Sequence, residues 1–409
     1  MLPRSIYPLL TAVLGATAVP TRTGRGYTVA RSSADQSDVK KVLIGGGPSG
    51  TIAVANYDGS SFDILSNNTI SGTDASWLLL KEPNLLYAVD ENSNNTRLFN
   101  FDQDTNEVTL VQEAIGSSGV AFLEFNKNKT VILGAAYAQG TIDVWDVSAS
   151  DGSLKLLKQI AAGGTPGPDQ PRQASPHPHQ ALLDPSGRYF LVNDLGTDSI
   201  IVIDSEADYS IINRIAVTPA GNGPRHGAYY PPGADKATHY FLASEIASLV
   251  SAFELTYTDD GTGISLAKLQ SLSSYGEDFP PANATSASAG ELVITSDGKH
   301  LYVSNRLSGN ETDSISHFSI DIDADEPLTF VDQISSGGLV PRDFSLSTDE
   351  TVLFSTNQDG ELGLLAFTRD AETGSLTETP AASVARDVFG APSYGPQYVR
   401  EVGEVGSNS

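Results

Sequence analysis

The run His179-Gln-Ala-Leu-Leu-Asp-Pro-Ser-Gly-Arg-Tyr-Phe-Leu-Val-Asn-Asp194 decides the fold, because the chain repeats its pattern elsewhere. Arg225-His-Gly-Ala-Tyr-Tyr-Pro, continued by His239-Tyr-Phe-Leu-Ala-Ser-Glu245, is a second copy. Gly290-Glu-Leu-Val-Ile-Thr-Ser-Asp-Gly-Lys-His-Leu-Tyr-Val-Ser-Asn-Arg306 is a third. Each copy is a short apolar strand, a turn rich in Pro, Asp and Gly, and a second apolar strand that ends in polar residues. Period-two alternation with β-branched and aromatic enrichment reads as strand, and no stretch reads as a convincing helix.

Outward from these copies, the second strand recurs seven times: Lys41-Val-Leu-Ile, Leu85-Leu-Tyr-Ala-Val-Asp, Val131-Ile-Leu-Gly-Ala-Ala, Tyr189-Phe-Leu-Val-Asn, Tyr240-Phe-Leu-Ala-Ser, Leu301-Tyr-Val-Ser-Asn and Val352-Leu-Phe-Ser-Thr-Asn. An alternating strand follows each, such as Thr141-Ile-Asp-Val-Trp-Asp or Ser199-Ile-Ile-Val-Ile-Asp, and then a weaker outer strand, such as Glu107-Val-Thr-Leu-Val. One such unit cannot bury both faces alone, so the repeat predicts an all-β, seven-bladed propeller with four-stranded blades. The first unit lacks its innermost strand, and the leftover run Gly395-Pro-Gln-Tyr-Val-Arg-Glu-Val402 is predicted to supply it. That would close the ring and remove two exposed strand edges. The domain expectation is therefore one propeller over residues 40–402, with a flexible leader at 19–39 and a tail at 403–409. Insertions at 163–175 and 273–288 are rich in Pro, Gly or Ser and fall between units, where loops often border a site.

The formal charge of −26 over 409 residues argues against nucleic acid and against anionic membrane surfaces as partners. Arg4, an apolar stretch at 6–19 broken by Pro8, and Ala16-Thr-Ala18 read as a secretory signal peptide over residues 1–18. Asn67, Asn94, Asn128, Asn283 and Asn310 each begin an Asn-X-Ser/Thr sequon, which agrees with glycosylation on export to the extracellular side. The chain has no cysteine, so an exported protein of this kind must rest on a large core.

Because the two inner strands of a blade are antiparallel, the start of the first lies beside the end of the second on one rim. His177, His179, Arg225, His226 and Arg342 open first strands; Glu91, Asp194, Glu245, Arg306 and Gln358 close second strands. Seven blades around an axis bring these positions to one mouth of the central channel. Three of the six histidines fall in this set. Guanidinium groups gathered there in an acidic protein imply an anionic ligand or an oxyanion. Any one of these residues could instead brace neighbouring carbonyls, and Asp194 and Glu91 sit in turn-like contexts where turn chemistry alone would explain them. Gly45-Gly-Gly-Pro-Ser-Gly lacks the lysine of a phosphate loop and reads as a plain turn. His177 and His179 flank a proline with no third ligand nearby, which disfavours a metal, and no cofactor is expected.

His177-Pro-His179-Gln, Gly223-Pro-Arg-His226, Ser244-Glu245, Ser304-Asn-Arg306 and Pro341-Arg-Asp-Phe344, in this order and at these blade positions, resemble the seven-bladed propeller lactonase family. That family includes bacterial 6-phosphogluconolactonases and fungal carboxy-cis,cis-muconate cyclases. The likeness spans residues 40–402 and implies a catalytic set of His179, Arg225, Glu245 and Arg306. His177, His226, Arg342, Glu91, Asp194 and Gln358 are the further candidates for substrate contact. The expectation is a secreted hydrolase opening a small carboxylated or polyhydroxylated lactone. Arg225, Arg306 and Arg342 would hold its charge, and Glu245 or His179 would act as base. A lactonising cyclase or isomerase and a non-catalytic binding propeller are the alternatives. The signal peptide departs from both named branches, and the sequence carries no reading of oligomeric state.

Overall fold

The computed structural model describes residues 39–47, 50–70, 72–170, 172–390 and 394–403; the expected signal peptide at 1–18 lies outside them, as do nearly all of the leader and of the tail. Alternating apolar positions produce seven four-stranded antiparallel sheets, six of them with their strands in sequence order from the innermost outward. The innermost strands of blades 2 to 7 are Leu78–Lys81, Val120–Phe125, Pro178–Leu183, Pro224–Tyr230, Ser288–Ile294 and Phe344–Leu346. Blade 1 takes its innermost strand from the C-terminus: Tyr398–Glu401 pairs antiparallel with Lys40–Gly46, with Val42 opposite Glu401 and Gly45 opposite Tyr398. The ring thus closes as the leftover run predicts.

The second strands are the apolar anchors read from sequence. Tyr189–Asp194 and His300–Arg306 are buried along their whole length, because both faces meet a neighbouring blade. The outer strands alternate with solvent, as in Lys155–Ala161. Aromatic contacts join blades; Trp77 packs on Phe122 with ring centres 4.2 Å apart. Helical structure among the described residues is limited to short 3₁₀ turns, and no helix there is long and apolar enough to cross a membrane.

One recurring device fixes the rim. Asn193, Asn305 and Asn357, at or just beyond the ends of second strands, are fully buried. Their side-chain amides donate to the carbonyls of Arg225, Ser274 and Ser336 at 3.3, 3.2 and 2.9 Å. Each asparagine satisfies a buried backbone carbonyl at the rim.

Candidate active site

The inner strands are not regular where they reach the mouth. Pairing slips between Pro178 and Gln180 in blade 4, leaving His179 as the extra residue, and between Pro224 and His226 in blade 5, leaving Arg225. Blade 6 slips across Gly290 and Glu291. A bulge re-aims the side chain it carries, and here it converts the outset of a strand into a functional position. Glycines make room. A Cβ at Gly290 would come within 2.4 Å of Ser304 Oγ and 3.2 Å of Arg306 Nε, and one at Gly227 within 2.2 Å of Tyr240 OH.

An open cavity lies at this mouth. Its walls are Glu91 from blade 2, Gly119, Ala121, Tyr137 and Ala138 from blade 3, His179 from blade 4, Glu245 from blade 5, Arg306 from blade 6 and Arg342 from blade 7. Glu245 is the hub. Its Oε2 lies 2.8 Å from Arg306 Nη2 and 3.0 Å from Arg225 Nε, and its Oε1 accepts from Arg172 Nη2. Burial alone would raise this carboxyl, but Arg306, Arg225 and Arg172 outweigh burial and pull it down to about 2. Arg342 is paired with Glu91 across the cavity. Asp74 lies behind that pair, accepting from Gly47 N at 3.1 Å; burial and then the Glu91 charge lift it to about 6.

His179 is the other kind of wall. Burial, followed by the positive charge of Arg225 and of the other arginines, holds its imidazole well below the usual 6.5, so it is neutral at neutral pH. Its Nδ1 is 3.1 Å from His226 Nε2, which leaves Nε2 as the atom free to work. His226 is neutral for the same reasons.

The structure gathers His179, Glu245, Arg306, Arg342 and Glu91 at the cavity and separates the remaining candidates from it. Arg225, expected to meet substrate, lies beneath: it is 2% exposed and spent on Glu245, because the bulge buries it between blades. Burial and the nearby Arg306 lower its guanidinium to about 10. His226 also lies beneath, against His179. His177 stacks on Tyr137 with ring centres 4.5 Å apart, and its Nδ1 is 2.7 Å from Tyr137 O, so it braces a wall without being one. Asp194 is a turn cap: it accepts from His177 N, Gly196 N and Thr197 Oγ1, which leaves it nothing to offer a ligand. Gln358 does not line the cavity either; its backbone joins Val340 O and Gly395 N.

Arg172 and Tyr137 were missed from sequence. Arg172 sits in the 163–175 insertion, whose place between units was the available signal. Tyr137 follows the second strand of blade 3 as Glu245 follows that of blade 5, and having no charge it gave no cue. Glu291, on the inner strand of blade 6, and Asp343, just before that of blade 7, stand inside quoted motifs, where no local cue marks them. Among the described residues no group of three or more His, Asp or Glu is arranged to hold a metal ion.

A family model described as lactonase, 7-bladed beta-propeller, matches residues 38–389. A protein of Arthroderma benhamiae named "Probable 6-phosphogluconolactonase" is 30% identical over 343 residues, 81% of this chain and 83% of its own length. The 6-phosphogluconolactonase of Bacillus subtilis is 29% identical over 304 residues, 74% of this chain and 81% of its own. Among solved structures, a periplasmic gluconolactonase of Pseudomonas aeruginosa superposes with a TM-score of 0.72 at 24% identity. That match covers 89% of this chain and 99% of the other, a likeness of fold.

Proposed function

The chain belongs to the seven-bladed β-propeller lactonase family, and from that premise we propose that it hydrolyses a small carboxylated or polyhydroxylated lactone at the channel mouth, and does so outside the cell. The observation that carries the reading is His179: a neutral imidazole in the wall of a cavity whose other walls include Arg306 and Arg342. Hydrolysis needs a base for water and positive charge for the carbonyl oxygen, and further positive charge anchors a carboxylate where the substrate carries one.

His179 Nε2 takes a proton from water as its oxygen adds to the lactone carbonyl. The carbonyl oxygen becomes an oxyanion, and Arg306, fixed by Glu245, lies where it can steady that charge without reorganising. The ring C–O bond then breaks, and the alkoxide leaves with the proton that His179 had taken. One lactone and one water give one hydroxy acid. Arg342 and Arg172 are the anchors for the substrate's carboxylate or phosphate. Glu245 is a poor base, since three guanidinium groups hold it ionised; its part is to aim them.

Export is supported by the N-terminal segment and by the five sequon asparagines, all of which are exposed. A panel of aldono-, glucono- and muconolactones read by pH indicator, with His179→Gln and Arg306→Ala as controls, tests the chemistry. Hydrolysis lost in both variants is expected; a folded protein that opens none of these rings would overturn it. Expression of the full chain in a eukaryotic secretory host, followed by glycosidase treatment, tests export: a protein retained in the cells and unshifted on a gel would refute that part.

A further inference from the structure

Beneath His179 the channel holds a second line of titratable groups, one from each successive blade. Nδ1 of His179 lies 3.1 Å from Nε2 of His226. Nδ1 of His226 lies 2.7 Å from Oε2 of Glu291, and neither of those two atoms has a well-aligned hydrogen bond, so a slight turn of the ring would complete one between them. The other oxygen of Glu291 accepts from Leu292 N at 3.0 Å. Asp343 follows, its Oδ2 accepting from Val399 N at 2.8 Å. His179, His226, Glu291 and Asp343 are 6, 2, 1 and 2% exposed, so bulk solvent does not reach them and each is set mainly by its neighbours in the line.

We propose that Glu291, acting through His226, holds the proton of His179 on Nδ1 and so leaves its Nε2 bare to serve as the base. Glu291 and His226 are then positioning residues, and the proposal rests on the reading of His179 as the base. The proton count gives the direction. A carboxylate can only accept, so it selects the His226 tautomer protonated on Nδ1. His226 Nε2 must then accept, and the proton facing it comes from His179 Nδ1. A neutral ring carries one such proton, so the lone pair of His179 Nε2 remains for water.

Burial raises Glu291, but Arg225 beside it favours its charged form. Asp343, pushed far up by burial and by the Glu291 charge, keeps its proton. Of the two, Asp343 is pushed further toward its neutral form, which leaves Glu291 the better placed to carry the charge. When His179 takes up the proton of water, Arg225, Arg306 and Arg342 oppose the new positive charge. Glu245 and Glu291 are the carboxylates on the other side of that balance, and Glu291 reaches it through His226. The proton then leaves with the alkoxide, so every group returns to its starting state.

Nitrogen-15 imidazole spectra of the full chain in the absence of any ligand read the tautomers directly, and six histidines are few enough to assign. His179 should show a protonated Nδ1 and a bare Nε2. Glu291→Gln keeps the acceptor for Leu292 N and offers an amide N–H to His226 Nδ1, which should reverse both rings. On the lactone that the wild type opens, kcat should fall on the order of a hundredfold or more with KM little changed, as when a catalytic histidine is held in the wrong tautomer. Glu291→Asp, which keeps the charge, should recover part of the loss, and Asp343→Asn, which keeps neutrality and a donor, should lose little. A wild-type His179 protonated on Nε2 would overturn the proposal, as would a Glu291→Gln enzyme with undiminished kcat. If the wild type opens no lactone, the functional reading fails while the spectra still decide the tautomer.

Discussion

Arg306 Nη2 stands 2.8 Å from Oε2 of Glu245, and this contact ties the rim ends of blades 5 and 6 across the mouth of the channel. Both side chains are about nine-tenths buried, so salt screens the pair only weakly. Removing Glu245 leaves Arg306 without its carboxylate, whereas removing Arg306 takes positive charge from the cavity and leaves Glu245 with Arg225 and Arg172.

Arg306→Ala should therefore lower kcat/KM by about a hundredfold to a thousandfold, the scale of losing one oxyanion donor. Initial rates of ring opening against substrate concentration measure it. An unchanged kcat/KM would remove Arg306 from the mechanism.

Glu245→Gln should act first on stability. The carboxylate neutralises the buried Arg225, whose Nε lies 3.0 Å away, and an uncompensated buried charge costs about 3–5 kcal/mol. Urea unfolding should show a lower midpoint. The acid limb of the pH–rate profile should remain, moved toward lower pH because a negative charge near His179 is lost; a limb that disappears with this substitution would restore Glu245 to the role of base.

The acid limb itself should belong to His179. Its folded-state value is depressed below the usual 6.5, so the active, unprotonated form survives as the pH drops through 6.5 and is lost only at lower pH. A kcat/KM profile taken from about pH 4 to 8 should be flat near neutrality and fall on the acid side. The same depression works on stability. The unfolded chain takes up protons at His179, His226 and His300 before the folded one does, so stability should decline as the pH falls below 6.5.

Glu124 should produce the opposite slope. Burial lifts this carboxyl, on the inner strand of blade 3, from 4.5 to about 8. The folded state keeps the proton that the unfolded state releases, so stability is highest below 4.5 and falls as the pH rises toward 8. Against Glu124→Gln, the wild type should lose ground across that window by up to about 5 kcal/mol. Urea midpoints of both proteins at a series of pH values measure the difference; parallel curves would contradict it.

A chain cut before the closing run should lose far more than its length suggests. Val399 is fully buried and Tyr398 is 4% exposed, together worth about 4 kcal/mol of burial. Blade 1 would also present an unpaired strand edge to solvent. Calorimetry of a chain ending at 394 should show a markedly lower, less cooperative transition.

The seven anchors, the order of the strands and the closing run were legible because alternation and repeat length are properties of the chain itself. Asn193, Asn305 and Asn357 show the limit of that reading. They occupy equivalent places in three blades, yet the residues that follow them part ways: Arg306 enters the cavity, Asp194 caps a turn and Gln358 stays outside the lining. Nothing in the local pattern separates the three.

The sequence by itself determined a closed ring of seven blades and a rim supplied with arginine, histidine and carboxylate, because a period of strands and a bias in residue type survive in one dimension. Tertiary structure alone decided depth. A slip of one residue in the pairing at His179 and Arg225 sent one side chain to the wall and the other beneath it. It also set Arg172, Glu291 and Asp343 against partners 73, 65 and 52 residues away or more in the chain (Glu245, His226 and Glu291 respectively). Distances of that kind come from the closing of the ring, and they fix which groups lose their water, and with it which are charged and which stay neutral.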